Sequence, residues 1–199
     1  VLIMIDSQGS LASSNKKERL KAIDNHKKWI DFSYEIGCET MRVNLSGETK
    51  LDRWTENSIK SLTELSDYNK SINVVVENHG GLSSNGKYLS NVMSKVNIDN
   101  CGTLPDFGNF CIDGSPRACN EWYDIYKGVE ELMPYAHAVS AKSYDFDDSG
   151  NETKIDYSKM IDIVKKAGYK GYIGIEYEGS RMSEDDGIIA TKKLLEKLI

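Results

Sequence analysis

Basic charge is what this chain is short of: 25 Lys and Arg stand against 31 Asp and Glu, a formal net charge of −6. Nucleic-acid phosphates are held by clustered Lys and Arg, so a surface for DNA or RNA is not expected and small-molecule partners are favoured. No stretch approaches the ~18 consecutive apolar residues of a membrane span. No Gly-x-Gly-x-x-Gly or Gly-Lys-Ser/Thr follows any apolar run, which counts against a nucleotide or dinucleotide fold. Cysteine is scarce too. Cys38, Cys101, Cys111 and Cys119 lack paired C-x-x-C spacing, which argues against a structural zinc site and predicts buried free thiols. Nor is there an initiator Met, since Val1 opens directly on an apolar run. A lost N-terminal part is therefore expected; the compartment stays open, with the cytoplasm favoured and a leader in the lost part still to be considered.

What is present is a strict alternation. Residues 1–6 read as a strand, and 16–36 as an amphipathic helix stopped by Gly37. Strand and helix signals then recur at 40–44 and 55–68, 73–77 and 87–96, 101–106 and 121–132, 136–143 and 157–167, 172–179 and 184–198. Pro105 shortens the fourth strand, Pro134 closes the fourth helix, and the polar stretch 111–119 between them reads as a loop. At 199 residues, 39% hydrophobic and 28% charged, the chain is the size of one globular domain. The alternation means parallel strands with right-handed crossovers, in an open doubly wound sheet or a (β/α) barrel.

The valine run at 74–76 ends abruptly in Glu77, Asn78 and His79. Side chains alternate along a strand, so Val75, Glu77 and His79 share one face while Asn78 takes the other. Polar residues close strand after strand in this way: Asp6, Asn44, Glu77, Asp106, Lys142 and Glu176. In a barrel those ends converge on one mouth. Glu77, Asp106 and Glu176 then offer hard oxygens from different strands, suited to Mn²⁺ or Mg²⁺, or with an imidazole to Zn²⁺ or Co²⁺. Gathered carboxylates cannot all stay ionised unpaired, so a metal or Lys142 has to compensate them. The plainer alternative pairs each carboxylate separately with a nearby Lys or Arg. Ser140 shares the face of Lys142, whereas His137 takes the other. Expected substrate contacts are Arg42, Asn44, His79, Asn109, Ser140 and Glu178. The loop 145–151 partly matches a calcium loop, with Asp156 at the twelfth place, but a strand leads into it and a solvated turn is expected. Trp29, Trp54 and Trp122 sit in helical patterns and read as packing residues.

At these residues the chain resembles the xylose isomerase-like barrel superfamily, in particular its sugar phosphate isomerase/epimerase group, which also includes endonuclease IV. The segments that carry the resemblance are VENHGGLSSN at 76–85, LPDFGNF at 104–110, VSAKSYDFD at 139–147 and GIEYEG at 174–179. They look like the last four strands of such a TIM barrel. The resemblance implies a single barrel domain over 1–199 that holds strands three to eight and lacks the first two βα units. It further implies Glu77, Asp106 and Glu176 as metal ligands, with Glu77 and Glu176 as the acid/base pair of an epimerase that works through an enediolate. The chain departs from the family at Ser140, where a metal-binding histidine is usual, and at Asn109, where many relatives carry a substrate-contacting histidine. The implied activity is metal-dependent isomerisation or epimerisation of a sugar or sugar derivative, with a homo-oligomer left open. The alternatives are a Schiff-base lyase or aldolase using Lys142, and a non-catalytic sugar-binding barrel.

Overall fold

The computed structural model describes residues 1–115 and 118–199. Strands β1 (Leu2–Met4), β2 (Thr40–Val43), β3 (Asn73–Glu77) and β4 (Cys101–Leu104) form one parallel sheet in that order. Helices α1 (Lys16–Glu35), α2 (Leu51–Tyr68) and α3 (Gly86–Val96) make the crossovers between them. A hairpin follows, β5 (Cys111–Ser115) antiparallel to β6 (Ala118–Trp122), and leads into α4 (Ile125–Leu132). The parallel pair β7 (Val139–Ser143) and β8 (Ile173–Tyr177) comes next, with α5 (Tyr157–Lys166) between its strands and α6 (Glu184–Leu198) after them.

Pro105 explains why β4 and β7 do not form a continuous ladder. It has no N–H to donate, so pairing shrinks to isolated bridges at Thr103–Ala136 and Asp106–Ser140. Across the gap the Ser140 amide donates to the Pro105 carbonyl at 3.0 Å, and the Phe107 amide to the Ser140 carbonyl at 3.1 Å. The parallel strands thus make a curved wall in the order β1-β2-β3-β4-β7-β8. Among the described residues no ladder joins β8 back to β1, so the wall is open on that side.

Alternation along the strands sorts the interior into layers. Met41, Val43, Val74 and Val76 pack with Ile23, Ile30, Leu62 and Leu65 of the helices, while the intervening Arg42, Val75 and Glu77 turn inside the wall. Among the described residues no helix is long and apolar enough to cross a membrane.

Several expectations need correction. Of the stretch 111–119, residues 111–115 and 118–119 are strand and not loop, while 116–117 lie outside the described residues; Cys111 and Cys119 are not free thiols but are joined by a disulfide between β5 and β6. Cys38 and Cys101 are the buried free thiols. Because β6 runs through Trp122, α4 begins at Ile125 rather than at 121, with the Asp124 carboxylate accepting from the Lys127 amide as its cap. Trp122 is accordingly a half-exposed strand residue and not helix packing, whereas Trp54 is buried with its indole donating to the Leu45 carbonyl. The seventh-strand segment becomes a ladder only at Val139, and His137 ahead of it is exposed. In the acidic loop Asp147 accepts from the Ser149 and Asn151 amides, which makes it a self-capped turn.

Candidate functional site

The carboxylates of Glu77, Asp106 and Glu176 meet at the C-terminal ends of β3, β4 and β8, each contributing one oxygen within 4.8 Å of the others. Each is also tied back by another contact. Asn109 Nδ2 donates to Glu77 Oε1 at 3.0 Å. The Gly108 and Asn109 amides both donate to Asp106 Oδ1 at 2.8 Å. Lys142 Nζ donates to Glu176 Oε1 at 2.7 Å and also lies 3.1 Å from Glu178 Oε1. Ser140 stands between two of the carboxylates, its Oγ 2.7 Å from Asp106 Oδ2 and 3.0 Å from Glu176 Oε2.

A second ion-pair chain enters from β1 and β2. Arg42 Nη1 donates to Asp6 Oδ1 at 2.7 Å and to the Ile5 carbonyl at 3.0 Å, and its Nε lies 3.0 Å from Glu77 Oε2. The Nε contact is close in charge but misaligned as a hydrogen bond. Both atoms are buried without a hydrogen-bond partner, so Glu77 Oε2 keeps its lone pairs free for another ligand.

These surroundings separate the carboxylates electrically. Burial pushes Glu77 up to about 7, against the pull of Arg42. Burial also pushes Asp106 up to about 7, with Lys142 opposing. Glu176 ends below its ordinary value: burial works to raise it, but the hydrogen bond and charge of Lys142 outweigh that. Lys142 is raised in turn, because the Asp106 and Glu176 charges overcome the burial that would neutralise it. One hydroxyl hydrogen cannot serve two carboxylates. Ser140 Oγ is within donating distance of both Asp106 Oδ2 and Glu176 Oε2, so its single hydrogen serves one of them at a time.

The oxygens fit a divalent cation. Three carboxylates and the Ser140 hydroxyl form an all-oxygen donor set, and one buried oxygen of the set's Glu77 has no hydrogen-bond partner, a chemistry that suits Mg²⁺ or Mn²⁺.

Arg42, Asn109, Ser140 and Glu178 therefore sit on the cluster as described. Asn44 is one step removed, donating to Asp6 Oδ1 at 3.1 Å. His79 is exposed at the rim, where its charge adds to the lowering of both Asp6 and Glu176. Asn78 and Gly108 were not among the expected site residues. From the opposite face of β3, Asn78 accepts from the Asp106 amide at 2.7 Å and donates to the Asp106 and Asn109 carbonyls. Gly108 lets the loop after β4 lie against Lys142, since a Cβ there would stand 2.8 Å from Lys142 Cγ. The Pro-Asp-Phe-Gly-Asn turn composition was the available signal for Gly108.

A sequence profile of the xylose isomerase-like TIM barrel family matches residues 2–198. Among curated proteins, the C-glycoside deglycosidase alpha subunit of Arthrobacter globiformis is 38% identical over 76 residues, covering 37% of this chain and 20% of that relative. Among solved structures, the D-allulose 3-epimerase of Methylomonas sp. superposes with a TM-score of 0.76 at 16% identity, covering 100% of this chain and 76% of that one. The zinc-bound IolI protein superposes with a TM-score of 0.74 at 15% identity, covering 98% of this chain and 75% of that one. Likeness at such identities is likeness of fold.

Proposed function

The chain belongs to the xylose isomerase-like TIM barrel family, and from that premise we propose that it isomerises or epimerises a sugar or sugar derivative. The observation that carries this reading is the pair of glutamates from β3 and β8, which face one site with opposite protonation tendencies. Glu176, held ionised by Lys142, takes the proton from the carbon beside a substrate carbonyl. The bonding pair left behind forms an enediolate. Glu77, protonated in the reacting state, gives its proton to the opposite face for epimerisation, or to the neighbouring carbon for isomerisation. In the reverse direction the roles exchange.

Glu77, Asp106 and Glu176 would hold the cation, with the Ser140 hydroxyl beside them. A bound Mg²⁺ or Mn²⁺ supplies polarisation of the carbonyl, which acidifies the adjacent C–H. The protein orients the reacting carboxylates through Asn109, Arg42 and Lys142, each of which touches one of them. Lys142 is paired with Glu176 and Glu178 and raised above its ordinary value, which favours a charged ammonium over a Schiff-base nucleophile.

The test is deuterium exchange. Protein with Mn²⁺ in D₂O is expected to place deuterium on the carbon beside the carbonyl of a ketose, read by NMR, and Glu176→Gln should abolish it. No exchange across a panel of free and phosphorylated ketoses, or borohydride trapping of substrate on Lys142, would overturn the reading.

A further inference from the structure

Any group that recognises a phosphate needs a free cation or unpaired N–H donors, whereas a sugar hydroxyl needs an acceptor as much as a donor. Among the described residues, the Arg and Lys that the strands aim into this mouth are already engaged, and His79 is a further basic group at its rim. The Arg42 fork is filled by Asp6, at 2.7 Å to Nη1 and 3.5 Å to Nη2; its Nε makes no hydrogen bond but is buried against Glu77 Oε2 at 3.0 Å, so no Arg42 donor is open to an incoming ligand. Lys142 lies between Glu176 and Glu178. Side-chain exposure is 6% for Arg42 and 1% for Lys142, against 64% for Asp6, 47% for Glu178 and 34% for Glu176. An approaching ligand therefore meets carboxylates. In the loop after β3 the His79 and Gly80 amides donate inward to the Ser83 and Ser84 hydroxyls, so they do not form an anion cradle either.

Beside this mouth lies a cleft of about 310 Å³ lined by Asp6, Ser7, Gln8, Asn44, Ser46 and His79. Its wall is hydroxyl, amide, imidazole and carboxylate. Asn44 Nδ2 is spent on Asp6, while Asn44 Oδ1 is buried without a partner, an acceptor that calls for a donor from a ligand. Hydroxyls donate to Asp6 and Asn44; a phosphate dianion has no proton to give and brings like charge against Asp6.

We infer that the site selects an unphosphorylated sugar, that the remote hydroxyls of this sugar lie in the Asp6 cleft, and that Asp6 sets the selection by occupying Arg42. This rests on the epimerase assignment for the word sugar, but it is read by binding and not by turnover. Calorimetry on Mg²⁺-loaded protein should give D-fructose an affinity at least about tenfold higher than D-fructose 6-phosphate, since like-charge juxtaposition is strongly unfavourable. Inorganic phosphate should not displace fructose. Asp6→Ala uncovers Arg42 and should lower the preference by about tenfold, with Asp6→Asn intermediate. Asp6 is exposed, and melting curves check that both variants fold. Equal or tighter binding of the phosphate ester to the wild type, binding of neither sugar, or an unchanged ratio in both variants would overturn the assignment. Ester binding removed by replacing the exposed Arg181, on the loop after β8, would overturn it as well. The expected binding ratio without deuterium exchange would sink the epimerase assignment alone; exchange that prefers the ester would sink this inference alone.

Discussion

Glu77 and Glu176 are the same side chain at the ends of two parallel strands, yet Glu77 is 1% exposed and pushed up to about 7, while Glu176 is 34% exposed and held below its ordinary value. Each has a cation close by. What differs is how that cation is shared. Arg42 spends its fork on Asp6 and offers Glu77 a misaligned Nε, so burial wins there. Lys142 donates squarely to Glu176 at 2.7 Å, and the ion pair wins. The β3–β4 half of the site is thus dry and prone to hold protons; the β7–β8 half is wetter and prone to stay ionised.

Isosteric replacement is the strongest way to break that contrast. Glu176→Gln and Glu77→Gln should each slow epimerisation by about 10²–10⁴-fold in both directions, because each glutamate acts as base one way and acid the other. Steady-state rates with the active ketose check this, and either variant at the wild-type rate would end the acid/base assignment. A smaller effect is expected at Lys142. Lys142→Met removes the group that holds Glu176 ionised, so the Glu176 pKa rises and the acidic limb of the kcat/KM profile moves to higher pH. Lys142→Arg keeps the charge in a wider fork and should lose part of the rate. The stability lost in Lys142→Met should be about 1–3 kcal/mol, below the ~3–5 of a fully buried pair, because Glu176 is partly solvated. An unmoved pH profile in Lys142→Met would make that lysine a bystander.

Strand parity made much of this site legible. A period of two leaves no freedom once one face is buried, so Arg42, Glu77, Ser140, Lys142 and Glu176 had to point to the same side. Parity stops where the strand stops, however. β3 ends at Glu77, which is why His79 lies exposed at the rim. Asn78 reads as facing away, yet it orders Asp106 through the backbone of a loop that no strand pattern describes. The antiparallel pairing of β5 with β6 was hidden for another reason. Its register slips between Cys111, Asp113 and Gly114, which blurs the alternation, and the disulfide depends on a proximity that cysteine spacing does not encode.

The finest difference between the halves should appear in the stability of the metal-free protein. Glu77 ionises near its ordinary 4.5 when unfolded but near 7 when folded. Below about pH 4 both states are protonated, and its contribution is intact. Between there and about pH 7 the unfolded chain releases its proton first, so folding loses on the order of 3 kcal/mol from this group, and Asp106 works in the same direction. His26, lowered by burial, favours the folded state as pH rises through 6.5 and masks part of that loss. The measurement is therefore a difference. Without metal, Glu77→Gln should gain on the wild type steadily from pH 5 to pH 8 in urea unfolding, because the amide has no charge to bury. Added Mg²⁺ or Mn²⁺ should reverse the trend, stabilising the wild type more at pH 8 than at pH 5 and Glu77→Gln little at either, since the cation needs the ionised carboxylate. Parallel pH curves for the two proteins would mean that Glu77 is paid no burial penalty and that Arg42, misaligned or not, compensates it as fully as Lys142 compensates Glu176.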